Sequence, residues 1–262
     1  MNETIFKILA IISVLIAGII GALLSAKLSE SKNSRRLYSL GNAFAAGVFL
    51  AAGLIHMLPD ANEGFKKFGD FPWAFLGCAI GFSMILFLER VVLKGHNAVA
   101  ESLDKHSKQS EHLLSLHLIV LTAILSVHSL IAGIALGTEN NLSHSAVILF
   151  AVLAHKSSAS FALSVNLLKE GTSKRVLFRI ITFFCFMTPI GILLGMLINL
   201  AMSGNIQQIV TASFDSLAAG TFLYVAILGI AHEEFSEHED KMYKFILLCI
   251  GIAVMALVAI WT

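Results

Sequence analysis

The chain reads as eight long apolar runs separated by polar connections. They fall at residues 8–26, 37–58, 71–88, 113–137, 143–168, 180–202, 209–231 and 245–261, each close to the roughly 20 residues that a helix needs to cross the hydrocarbon of a bilayer. Lys156 and Asp215 interrupt two of the runs, which softens their boundaries. The first run has the alternative of a signal peptide, but its uncharged stretch is long for one and no small-residue cleavage site follows it, so it is read as a span. The pattern predicts an all-α integral membrane protein of eight transmembrane helices forming a single domain over residues 1–262.

Composition agrees with a surface that faces lipid. Hydrophobic residues make up 57% of the chain and charged residues 13%, with a mean hydropathy of +0.84, too apolar for an ordinary soluble domain. The bilayer is thus the expected surrounding partner. A net charge of +1, with the cations in short clusters rather than on one face, argues against nucleic acid. Cys78, Cys185 and Cys249 lie within apolar runs without ligand-like spacing and read as buried small hydrophobes.

Lys and Arg orient the spans, because they concentrate in cytoplasmic loops. Lys27, Lys32, Arg35 and Arg36 follow the first run; Arg90, Lys94, Lys105 and Lys108 follow the third; Lys169, Lys174, Arg175 and Arg179 follow the fifth; Lys241 and Lys244 follow the seventh. The alternate connections hold only Lys7, Lys66 and Lys67. Both termini are therefore expected outside. The long connection at 94–112 is then a variable cytoplasmic loop; it contains His96, His106 and His112, whose irregular spacing suits a solvated linker better than a metal site.

Residues 45–50 and 218–223 share five of six identities at an offset of 173. The counted topology runs these two spans in opposite directions, as expected if spans 1–3 and 6–8 are inverted copies around central spans 4–5. Three pairs of glycines, Gly77 and Gly81, Gly133 and Gly137, and Gly191 and Gly195, have the spacing of closely packed helices.

Ionisable groups are costly within hydrocarbon, so each calls for a partner or a wet cavity. His128 and Ser129 lie in span four, and His155 and Lys156 in span five. A turn near Asn140 places the two histidines within about two residues of the same depth, roughly 3 Å of helix rise. Two neutral imidazoles there suit a borderline-soft ion such as Zn²⁺, with Ser129 or water completing the shell. A hydrogen-bonded structural histidine is the competing reading for either one alone. His56, near the outer end of span two, is equally consistent with a ligand and with an interfacial side chain. His232 and the acidic run from Glu233 to Asp240 suggest an inner vestibule or a solvated loop, and Glu89 beside Arg90 suggests an interfacial ion pair. No partner for Lys156 is evident.

These residues resemble the ZIP family of divalent-metal transporters. The likeness covers essentially the whole chain and is carried by 47–50 through Leu58, Pro59 and Asp60, by His128-Ser129 with Gly133 and Gly137, by His155-Lys156, and by 219–224. It is similar to the branch with His-Ser in span four and His-Lys in span five. The resemblance implies movement of zinc, or of iron or another divalent ion, into the cytoplasm through a site between spans four and five. On that basis His128 and His155 are ligands, Ser129 is an accessory group and His56 belongs to the outer entrance. The metal is cargo, and no cofactor is expected. The plasma membrane as host and a homodimer as assembly are likewise implications of the resemblance.

The chain also departs from the family pattern, with Ala132, Ala159 and Gly229 where members often carry carboxylates, and with His56 where the branch often has an acid. A divergent relative that does not transport and serves a regulatory or interaction role is therefore the alternative. An enzyme is not expected, because the chain has no His-Glu-x-x-His motif or membrane-embedded nucleophile with a base.

Overall fold

The computed structural model describes residues 3–93, 109–201, 205–236 and 239–260. Among them are eight helices long and apolar enough to cross a membrane. We label them α1 (Glu3–Ser29), α2 (Ser34–Phe68), α3 (Trp73–Val91), α4 (Gln109–Thr138), α5 (Leu142–Lys169), α6 (Lys174–Ala201), α7 (Asn205–Tyr224, continuing through Val225–Ala231 and His232–Ser236) and α8 (Lys241–Ala259). The eight expected runs each fall on one helix. Helix α4 begins at Gln109, so the last four residues of the expected loop 94–112 are helical. The rest of that loop, with His96 and His106, lies outside the described residues, as do the expected span ends at 202 and 261.

Bonds between helix ends show that the helices alternate in direction. Lys7 at the start of α1 donates to Gly137 O at the end of α4 (2.7 Å), and Lys67 at the end of α2 donates to Gln208 Oε1 near the start of α7 (3.2 Å). Asn140 and Asn199 exchange amide hydrogen bonds on the same side. We call this the N-terminal face. On the opposite face, Tyr38 Oη at the start of α2 donates to Ser25 O near the end of α1 (3.2 Å), and Arg36 meets Asp240 before α8 (2.6 Å).

The outside of the bundle is apolar. On α1, Ile8, Ile12, Ile16, Ile19 and Leu23 are exposed, whereas Ala10, Val14, Gly18, Gly21 and Ser25 face the interior. Lipid is as apolar as leucine, so association between such helices relies on close approach of small residues. The most extensive packing joins α4 to α6, α2 to α7, α1 to α5, α2 to α8 and α3 to α7. In the first of these, a Cβ on Gly133 would stand 2.9 Å from Gly191 Cα, and one on Gly137 would stand 2.9 Å from Gly195 Cα. The two expected glycine pairs thus face each other across one helix contact.

Among the described residues three stretches widen to π-helix: Leu88–Leu93 at the end of α3 and, inside the bundle's longest helices, Ala52–Met57 in α2 and Val225–Ala231 in α7. The amides of Leu58 and His232 close the latter two by donating to carbonyls five residues back, Gly53 O and Ile227 O. In α2 the cause is local: Pro59 has no N–H to give Ile55 and its ring crowds that turn, which a wider turn relieves. The result places His56 on the buried side of the helix, 7% exposed.

A candidate metal centre at the floor of a one-sided cavity

A cavity of about 550 Å³ enters from the N-terminal face between α2, α4, α5 and α7. Its polar lining comes from His56, Asp60 and Glu63 of α2, Thr138 of α4 and Glu139 after it, His144 and His155 of α5, and Gln208, Thr211 and Asp215 of α7, with Ala132 of α4 among the apolar positions. Asp60 lies toward the mouth, its side chain 45% exposed. One turn deeper, His56 Nδ1 is 3.1 Å from Asp60 Oδ2 but makes no hydrogen bond. A half-buried carboxylate beside an imidazole, facing open space, attracts cations.

The two central histidines converge. Their ring centroids are 5.4 Å apart, with the rings inclined at 60°. His155 lines the cavity and His128 does not; it sits behind, its ring 4.0 Å from that of Phe222. Phe222 also packs against His155 at 5.7 Å and against Phe49 at 5.0 Å. Phe49 and Phe222 occupy matching places under the 173-residue offset. Both are fully buried and, with Leu125 and Leu163, form an apolar layer at the base of the histidine pair.

The electrostatics of the floor are unusual because its nitrogens lack partners. Nδ1 and Nε2 of His128, Nδ1 of His155 and Nδ1 of His56 are buried without a hydrogen bond. An unpaired polar atom in a protein interior costs on the order of 1–3 kcal/mol, so a cluster of them marks a place where a ligand is expected to bind. Neutral imidazole nitrogens are good donors to zinc and similar ions. Among the described residues, however, no three or more His, Cys, Asp or Glu are close enough together to hold a metal ion. The carboxylates and the imidazoles stand at successive depths instead.

Ser129 lies elsewhere. Its Oγ accepts a hydrogen bond from Lys156 Nζ (3.1 Å), and it is absent from the cavity wall. Lys156, for which the sequence suggests no partner, is 1% exposed; it also donates to Phe184 O at 2.9 Å and lies 3.6 Å over the Phe184 ring. This ammonium is directed between α4, α5 and α6, one residue round the helix from His155. The carboxylate that sequence reasoning underweighted is Asp215, noted only as a break in an apolar run. An acid inside a span is itself the signal of a site.

On the opposite face a surface pocket of about 260 Å³, bordered by Ser39, Asp240 and Lys244, ends at a closed interior. Glu234 is buried and accepts from Ser39, from Asn42 Nδ2 (2.8 Å) and from Lys169 Nζ (2.7 Å), while Asp240 is held by Arg36. The expected acidic vestibule is thus tied up in ion pairs at Glu234 and Asp240; Glu237 and His238 lie outside the described residues. Glu89 and Arg90 meet at 3.5 Å as expected. Between the apolar layer and this face remains a void of about 20 Å³, lined by Glu89, Asn166, Tyr224 and Gly229 among others.

Comparison with known proteins accords with this architecture. The family model for the ZIP zinc transporters matches residues 4–114 and 93–259. The mouse zinc transporter ZIP2 is 30% identical over 266 residues, covering 86% of each chain. The bovine zinc transporter ZIP3 is 27% identical over 301 residues, covering 95% of this chain and 96% of its own. Zinc transporter 11 of Arabidopsis thaliana is 28% identical over 255 residues, covering 88% and 78%. With eight apolar helices and likeness along nearly its whole length, this chain belongs to the ZIP family of multi-pass membrane transporters.

Proposed function

We propose that the protein carries a divalent metal ion, zinc foremost and iron second, across the membrane into the cytoplasm, with both termini outside and the plasma membrane as host. His128 and His155 are the deep ligands, His56 is the entrance ligand, and Asp60 and Asp215 supply the negative charge. The observation that carries this reading is the convergence of buried imidazoles with unpartnered nitrogens at the floor of a polar cavity that is open to one face only. Ser129 acts indirectly in this scheme, by holding the Lys156 ammonium away from the floor.

Alternating access is supported by the packing. Exchanging helix 1 with 6, 2 with 7, 3 with 8 and 4 with 5 maps the principal helix pairs onto one another, with the α2–α7 pair mapped onto itself. The π-helical stretches of α2 and α7 also coincide under the 173-residue offset. These relations support an inverted repeat whose halves rock about α4 and α5. A homodimer is compatible with the scheme but has no part in the site.

The second reading, a ZIP-fold protein that does not transport, is favoured by the absence of a tight metal cluster among the described residues and by the alanines at 132 and 159. Proteoliposomes decide between the two. The carrier reading expects saturable, protein-dependent zinc uptake that collapses in His155→Ala. Uptake equal to empty vesicles for zinc and iron alike would leave the second reading standing.

A further inference from the structure

We propose that Glu234, with Asn42 and Ser39, is a second cation station on the closed face, and that Lys169 occupies it as a tethered stand-in for the transported ion. The inference rests on the carrier reading and extends it to the exit path.

The Glu234 side chain is 3% exposed, and its charge is balanced by Lys169, which is 27% exposed. A buried carboxylate stripped of its counter-charge is strongly unfavourable. Lys244, 2% exposed, donates to the Glu234 backbone oxygen at 2.6 Å and stays on the residue's other side. Opening of the face around the carboxylate is therefore favoured when another cation takes the place of the Lys169 ammonium. The ion arriving from the histidine floor is that cation. Lys169 stands at the last residue of α5, the helix that carries His155, so movement of α5 carries the ammonium with it.

The second observation is Asn42. It is 1% exposed, its Nδ2 donates to Glu234 Oε1, and its Oδ1 has no partner. An ammonium on the carboxylate leaves that oxygen unused, whereas a divalent ion accepts carbonyl, hydroxyl and carboxylate oxygens together. One carboxylate with neutral oxygens binds weakly, which suits release. The offset adds a third relation: Asn42 corresponds to Asp215, and Glu233 to Asp60. Of the cluster itself only Asn42 stands at the position of a cavity carboxylate; Glu233 is exposed, and the buried Glu234 follows it by one residue.

The test is calorimetric titration of the purified full-length protein with zinc. Lys169→Gln is expected to bind one zinc ion per chain more than the wild type, and Lys169→Gln with Glu234→Gln to lose it again. Equal stoichiometry in wild type and Lys169→Gln, or an added ion that survives Glu234→Gln, overturns the proposal. Should Lys169→Gln fail to elute as folded protein, wild type decides: acylation of the Lys169 amine is expected to rise about threefold or more with saturating zinc, as the ion displaces it, and labelling indifferent to zinc overturns the proposal. Zinc uptake by wild-type proteoliposomes is measured in parallel. Uptake without the added ion removes this station alone, and the added ion without uptake removes the carrier reading while the station stands.

Discussion

The two ends of the α2–α7 pair are furnished alike and behave differently. At the N-terminal face, His56, Asp60 and Asp215 border a cavity of about 550 Å³. At the other, Asn42 and Glu234 are collapsed under a lysine. The difference lies in the counter-charges. Lys169 reaches into the bundle and neutralises Glu234, whereas Lys67 on the open face donates to the neutral Gln208. A carboxylate that is paired with an ammonium can be buried and seal the face around it.

Removing the floor of the open side should have the largest effect. His155→Ala deletes the one deep imidazole that meets the cavity, and zinc uptake at subsaturating concentration should fall on the order of a hundredfold, the equivalent of about 3 kcal/mol. Uptake that persists would separate the cavity from the transport path.

Ala132→Glu should sharpen the contrast in the other direction. The position lines the cavity one turn from His128, so a carboxylate there adds an anion to a neutral floor. Zinc binding measured by titration should tighten by about thirtyfold, with turnover slowed as release becomes limiting. Unchanged affinity would show that the floor does not hold the ion.

Accessibility gives a smaller but direct reading of sidedness. In a background lacking Cys249, Thr211→Cys in the cavity wall should react with a charged thiol reagent about tenfold faster than Asn166→Cys beside the small void, because a cavity of that size admits water freely and the void about one molecule. Zinc should protect the first and leave the second untouched. Equal rates would mean that the two faces are not distinct.

Lys156→Met should change least. Methionine fills similar volume, and replacing a buried charge by an apolar side chain is often close to neutral for stability. Loss of a like charge one residue from His155 should tighten zinc binding by about threefold, since attraction and repulsion at this distance are damped by the protein's polarisability. A large loss of folded protein instead would make the Ser129–Lys156–Phe184 link a structural clamp.

Much of this was legible in the residues. The eight spans, the glycine pairs at helix contacts and the near-equal depth of His128 and His155 all follow from local periodicity and helix rise, which are properties of consecutive residues. Lys156 was not legible: its partners, a hydroxyl in α4 and a backbone carbonyl in α6, come from separate helices, and no spacing within one helix reports them. Ser129 was assigned to the metal because it adjoins His128, but neighbours in a helix point about 100° apart, and the turn that brings His128 to the histidine pair takes Ser129 to Lys156. Glu234 read as part of a solvated acidic run because its burial depends on Ser39, Asn42 and Lys169, far away in the chain.

Hydrophobic runs and lysine placement by themselves determined that this chain spans a bilayer eight times, because the cost of exposing backbone and charge to hydrocarbon leaves no other arrangement. Packing between helices decided which polar groups meet: that His155 faces water while His128 stands behind it, and that one acidic end is paired shut while the other stays open. Those outcomes depend on the rotation of each helix against its neighbours, which close contacts such as Gly133 with Gly191 set and which a single helix's own sequence leaves free.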